Sequence, residues 1–199
     1  MNYSKTMKRL FFCLGALAAM AAGGCSDGSR SAGTCRIRGS VELERLEGGQ
    51  IFLVPFSGPQ DAAHVDSIPI RDLKFEFVTD TPMVAMLRLD YRHRMGVQEL
   101  LVITEPGEVS VTIGPLSTST GTPQNDSLQV WKRLTEKLNA DWRPLNAMLR
   151  SCPPDSAAML RARIDSLRAD YRARSRQLCL NMGSGLLHDF LAPRFAKPE

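Results

Sequence analysis

The chain has 199 residues, 43% hydrophobic and 23% charged, with 5 cysteines and a formal net charge of +4. Those proportions exclude a disordered tail, a collagen, a coiled-coil rod and a polytopic membrane protein. The cysteines are too few for a disulfide-dense miniprotein. What remains is one ordinary domain, or one domain with an appended element.

The N terminus comes first. Lys5, Lys8 and Arg9 form a basic start, Leu10 to Ala22 is an apolar run, and Ala22-Gly23-Gly24 precedes Cys25. That order predicts a secretory signal peptide over 1–24, because the run is too short to span a bilayer as a helix. Small side chains before a cysteine resemble the lipobox of bacterial lipoproteins. The resemblance implies acylation of the Cys25 thiol, cleavage before it, and a membrane anchor of more than one acyl chain, held essentially permanently. Residues 25–34 are small and polar beyond Cys25 and read as a flexible tether. Cleavage at this point removes three basic residues, so the net charge of the remainder falls to +1. Bulk basicity therefore gives no argument for nucleic acid.

From 35 to 121 the pattern is strand-like. Ile37, Gly39 and Val41 alternate with polar residues, and Ile51 to Val54 follow a Gly48-Gly49 turn signal. Val65 to Ile70, Phe75 to Val78 and Val84 to Tyr91 are further short runs. Leu100 to Thr104, Pro106-Gly107 and Val109 to Ile113 read as a hairpin. No amphipathic helix intervenes, which predicts an antiparallel sandwich or open barrel rather than a doubly wound sheet.

From 122 to 199 the period becomes helical. Leu128, Trp131, Leu134, Leu138, Trp142, Leu145 and Leu149 recur at spacings of three and four, which places them on one helix face. Asn125 or Asp126 is the expected cap, and Pro144 the expected kink. After Ser151-Cys152-Pro153-Pro154, with Asp155 or Ser156 as cap, a second stripe runs through Leu160, Ile164, Leu167, Tyr171 and Leu178. A third short piece, Leu186 to Leu191, is expected to end at Pro193. The predicted class is α+β: an antiparallel β-sandwich-like domain followed by an antiparallel helical hairpin. Charge divides the same way, net −4 over 25–121 and net +5 over 122–199.

Several short motifs resemble one family. They are Cys35-Arg-Ile-Arg-Gly-Ser-Val, Gln50-Ile-Phe-Leu-Val, Asp66-Ser67, Lys74-Phe-Glu-Phe, and Gly121-Thr-Pro-Gln-Asn-Asp126, in that order. The stretch 35–190 is similar to an uncharacterised N-terminal domain of Bacteroidota lipoproteins. That domain usually precedes a thioredoxin-like domain of the thiol–disulfide-interchange type. The resemblance implies location and fold. It does not carry over a redox centre, because this sequence contains no C-x-x-C pair.

Of the remaining cysteines, Cys152 falls at the hairpin tip and Cys179 near the far end of the second helix. At 1.5 Å per residue they stand roughly 35–40 Å apart, beyond the ~7 Å that a disulfide allows. Cys179 returns toward the sheet where Cys35 begins the first strand. Cys35–Cys179 is therefore the pair that a bridge could join, with Cys152 a free thiol.

Other constellations are incomplete. His64-x-Asp66 offers two ligands where zinc needs three or four. His93 sits between Arg92 and Arg94, where positive charge opposes metal binding, and His188 lies on a short amphipathic helix. The expectation is no metal, no cofactor, no catalytic residue and no nucleic-acid partner. Trp131 and Trp142 belong to the helical stripe and are expected to pack. Six arginines in the second helix read first as a solvated face, with anionic lipid, acidic glycan or the acidic β half as functional partners. Ser67, Ser127 and Ser156 follow aspartate and precede an apolar residue or alanine. In that they resemble the O-glycosylation sequon of exported Bacteroidota proteins, as does Ser166, which mid-helix placement disfavours. The resulting expectation is a membrane-anchored envelope lipoprotein of the outer membrane, a non-enzymatic binding or interaction module with an envelope protein partner. The alternative is an accessory to thiol–disulfide exchange that engages a separate thioredoxin-like partner or acts through Cys152.

Overall fold

The computed structural model describes residues 33–89 and 100–195. The signal-peptide, Cys25 and His93 readings lie outside them. Among the described residues, eight strands precede three α-helices: β1 Cys35–Val41, β2 Gln50–Pro55, β3 Asp66–Pro69, β4 Lys74–Thr79, β5 Val84–Leu89, β6 Leu100–Ile103, β7 Gly107–Ile113, β8 Thr118–Thr120, α1 Pro123–Leu149, α2 Pro154–Met182 and α3 Leu186–Phe195. The class is α+β, as the two hydrophobic periods require.

The strands form two four-stranded sheets, in the orders β4-β1-β7-β8 and β3-β2-β5-β6. Alternation in each strand sets one apolar face inward. Ile37, Phe77, Val109 and Val111 of the first sheet meet Ile51, Leu53, Leu87 and Val102 of the second in one buried cluster. Gly39 is required within β1. It lies opposite Phe75 in the β1–β4 register, and the Phe75 ring occupies the space a Cβ would need. One pair is parallel: Cys35 to Val41 run alongside Gly107 to Ile113.

The outer faces differ. The first sheet is solvated, and Arg36 and Arg38 both reach Glu76, Arg38 at 3.0 Å, while Arg38 lies 3.4 Å from Glu108. Exposed pairs of this kind contribute about 0–1 kcal/mol. The second sheet instead carries Val84, Leu101 and Ile103 outward, and these pack beneath Leu128, Cys179, Leu187 and Leu191. A second core therefore lies between this sheet and the helices, which makes three layers.

Four local expectations are corrected. First, β6 and β7 do not form a hairpin: β6 pairs with β5, and β7 with β1 and β8. The Pro106-Gly107 step, with Gly107 at φ 130°, carries the chain from one sheet to the other, so both strands can bury an apolar face. Second, β8 is an additional strand made of Thr-Ser-Thr, which has no apolar signal to read. Third, α1 and α2 begin earlier than expected, each with proline in its first turn and without a side-chain cap bond. Proline has no N–H to satisfy there and is already at helical φ. Fourth, α3 continues through Pro193 to Phe195. That proline forfeits one hydrogen bond in the last turn, while Phe195 is held edge-to-face against Trp131 and Tyr171, with ring centroids 6.4 and 5.8 Å away. Pro144 likewise lies inside α1, which remains helical to Leu149.

Candidate functional site

The most constructed part of the molecule is the root of the hairpin. β6 and β8 end their sheets, so each would present unpaired backbone groups. The first turns of α1 cover both. The Asn125 side chain accepts the Ile103 N–H at 3.0 Å and donates to the Ile103 carbonyl at 2.8 Å, and also to Thr122 Oγ1 at 2.7 Å. Its amide thus acts as one extra peptide unit on β6, and it is fully buried. One helical turn later, Gln129 Oε1 accepts the Ser119 N–H of β8 at 3.0 Å. Gln124 ties a third element in: its amide donates to Glu105 at 2.9 Å and accepts the Leu187 N–H at 2.9 Å. Asp126 accepts the Gly121 N–H at 2.9 Å. Gly121 has φ 107°, and a Cβ there would lie 2.6 Å from the Glu108 carbonyl oxygen, so only glycine fits.

Residues 35–128 match the family model described as Domain of unknown function (DUF4369). No curated protein and no solved structure matches the chain. The matched segment ends at Leu128, inside α1. The first turn of α1 is bonded to the β6 edge through Asn125 and belongs physically to the sandwich, and Gln129, just past the matched segment, adds the bond to β8. All six residues of the Gly121–Asp126 run are therefore accounted for within the DUF4369 segment by structural roles. Asn125 and Asp126, expected as helix caps, instead bond the β6 edge and the Gly121 N–H.

Beyond that segment, α1 and α2 pair as an antiparallel hairpin. Thr135 Oγ1 lies 3.2 Å from the Tyr171 hydroxyl across the pair. Leu134, Leu138, Trp142, Leu145 and Leu149 are only half-buried, whereas Leu128 at the root is 2% exposed. Two open clefts lie along the helix pair. One of about 350 Å³ is lined by Leu134, Leu138, Leu167 and Tyr171 with Lys137, Asp141, Asp170 and Arg174 among its charged rim. The other, of about 250 Å³, joins Trp142, Asn146 and Leu149 to Arg161, Ile164, Asp165 and Arg168. Trp131 packs as the periodicity predicts, edge-to-face on Phe190 at 6.2 Å.

The thiols separate. Cys35, Cys152 and Cys179 are all free, so the expected Cys35–Cys179 bridge is not formed. The physical reason is layering: Cys35 belongs to the sandwich core and Cys179 to the second core, under the helices. Each fills space as a small apolar side chain. Burial pushes the Cys35 thiol up to about 11, with the Glu105 carboxylate adding to the effect. Burial also raises Cys179. Both are thereby held as thiols. Cys152 is half-buried in the hairpin turn, its Sγ 3.6 Å from the Leu149 carbonyl.

The remaining candidates stand apart. His64 bonds Asp61 at 2.6 Å rather than sharing a strand face with Asp66, and this bond, with the Ala63 N–H, lowers the Asp61 pKa. His188 lies 3.1 Å from Asp189. Among the described residues no three His, Cys, Asp or Glu side chains gather as a metal site. Ser67 is exposed on edge strand β3. Ser127 Oγ donates to the Pro123 carbonyl at 2.9 Å within α1, and Ser156 is half-buried in the first turn of α2. No helix among the described residues is long and apolar enough to cross a membrane.

Proposed function

We propose that the protein is a lipid-anchored envelope lipoprotein whose sandwich presents a fixed helical arm for non-enzymatic binding. The observation that carries the reading is the construction of the hairpin. Its root is bonded to two sheet edges by buried amides, while its distal stripe stays half-buried. A scaffold of this kind sets the direction of a surface. The basic start, short apolar run and Gly24-Cys25 junction support acylation at Cys25 and an outer-membrane location. The ordered motifs support kinship with the Bacteroidota thioredoxin-associated lipoproteins, and Asp66-Ser67 is the most accessible candidate for O-glycosylation.

The intact mass of the protein from its native membrane fraction tests this, with free thiols alkylated at lysis. The expected species begins at Cys25 and carries two or three acyl chains. A mass without lipid removes the anchor.

A second reading is accessory to thiol–disulfide exchange through Cys152. What favours it is placement: Cys152 is the partly accessible thiol of the described three, at the tip of the arm, while Cys35 and Cys179 are sealed. The same mass experiment reads it as a mixed disulfide at Cys152. A Cys152→Ser variant with unchanged partner capture and phenotype would sink it.

A further inference from the structure

The two sides of the hairpin carry different charge. A helix turns about 100° per residue, so Arg161, Arg168, Arg172 and Arg176 fall on one stripe of α2. Arg143 of α1 and Arg150, the αR residue that caps its C terminus, are seven apart and fall on one line. Arg161 and Arg168 line the cleft with Trp142 and Asn146, and Arg143 and Arg150 adjoin its residues Trp142 and Leu149 in sequence. All six arginines are exposed. Among the described residues the carboxylates on this side are Glu136 and Asp165, the latter 3.9 Å from Arg168, and Arg172 also has a partner. The other side is balanced: Lys137 pairs with Asp141 at 2.9 Å, and Arg174 with Asp170 at 3.0 Å. The basic cleft also holds Trp142, whose buried indole N–H has no acceptor among the described residues.

The place where the chain enters the sandwich suggests what lies against this side. The Thr34 carbonyl accepts the Gly107 N–H at 3.0 Å. Gly107 abuts Thr122, the residue before α1, whose methyl would lie 3.1 Å from an added Cβ. The chain therefore enters the sandwich at Thr34, beside the hairpin root, nine residues after Cys25. Nine residues span at most ~30 Å, less than the ~40 Å length of the 27-residue α1.

We infer that the basic side of the hairpin lies against an anionic phospholipid surface. The inference rests on the lipid anchor: acylated Cys25 holds the root within ~30 Å of the headgroups, so the arm can lie along them. A long row of net positive charge suits a plane of phosphates better than a compact acidic protein patch. Guanidinium is the side chain best matched to phosphate, and its charge does not titrate. Juxtamembrane arginines of this kind strengthen partition about fivefold each.

The test uses residues 26–199, which contain both cores whole and no anchor. Vesicles of phosphatidylcholine alone are compared with vesicles mixed with phosphatidylglycerol. The expected result is binding to the anionic vesicles only, lost when salt rises from about 0.1 M to about 1 M and the Debye length falls from ~10 to ~3 Å. Arg161→Gln with Arg176→Gln should weaken binding about 25-fold, while Arg163→Gln with Arg174→Gln on the balanced side should change it less than about twofold. Equal loss in both variants would reduce the effect to net charge and overturn the proposal. So would equal binding to both vesicle types, or no binding at low salt. Self-association without vesicle binding, abolished by the first variant in sedimentation, would assign the face to a second copy instead. Because this protein carries no lipid, failure here leaves the acylation of Cys25 to be judged separately by mass.

Discussion

The sandwich and the distal hairpin contain similar apolar residues but bury them differently. In the sandwich, Ile37, Ile51, Leu53 and Val102 are at most 1% exposed, because two sheets close over them. In the distal hairpin, α1 packs on α2 alone among the described residues, and Leu134, Leu138, Leu145 and Leu149 remain only half-buried. Both regions carry an apolar stripe; the number of layers that cover it is what differs. An element backed by two layers is a structural unit, whereas an arm one helix deep is a surface. The largest expected effect follows from this difference. Leu53→Ala should cost about 3–4 kcal/mol of global stability, the transfer loss plus a cavity that two sheets cannot close. Chemical denaturation with a single transition checks it. A cost near 1 kcal/mol would mean the sandwich core is far looser than its burial implies.

The root decides whether the two regions behave as one body. Asn125→Ala removes both partners of the Ile103 peptide on a buried edge, and each abandoned backbone group costs about 1–3 kcal/mol. The expected loss is about 3 kcal/mol, with proteolysis newly directed to the junction near Thr122. If the variant melts like the parent and resists cleavage there, the hairpin is held by the apolar contacts of Leu128, Leu187 and Leu191 alone.

Much of this contrast was legible beforehand. Short apolar and alternating runs mark seven of the eight described strands, β8 excepted, and spacings of three and four mark the helices. What escaped was what polar side chains do. Ser119 is buried through its backbone bond to Gln129, so Thr118 to Thr120 gave no strand signal. Asn125 and Gln129 look like any amides near a helix start; their partners, Ile103 and Ser119, are distant in sequence. The β6–β7 step looked like a hairpin because Pro106-Gly107 suits a turn equally well when the chain changes sheets. Chain order brings Cys35 and Cys179 toward the same end of the fold, but the sequence does not reveal that they belong to different cores.

The thiols sharpen the comparison by a different readout. Cys35 is held neutral by burial, at about 11, against an unfolded cysteine near ~8.5–9. The folded state therefore binds the proton more tightly. Stability from this group is fully present below about pH 9 and is lost as pH rises toward 11, by roughly 2–3 kcal/mol. Denaturation midpoints across that range, compared with Cys35→Ala, should show the decline in the parent and a flatter curve in the variant. Native alkylation at pH 8 should modify Cys152 well before Cys35 or Cys179. A Cys35 that reacts as fast as Cys152 would show that the sandwich opens at the β1 end.

The smallest effect is confined to the arm. Leu145→Ala removes a half-buried side chain where water already reaches, so little new cavity forms, and the cost should be about 1 kcal/mol. It should appear in local opening rather than in the global transition, because α1 beyond the root can fray without disturbing either core. Amide exchange resolves the two. Protection in the distal halves of α1 and α2 should fall by about fivefold, while β1, β2 and β7 stay unchanged. If the sandwich amides lose protection equally, the hairpin is cooperative with the sandwich. The arm would then be a structural buttress, and the half-exposed stripe would no longer count as a surface kept available for a partner.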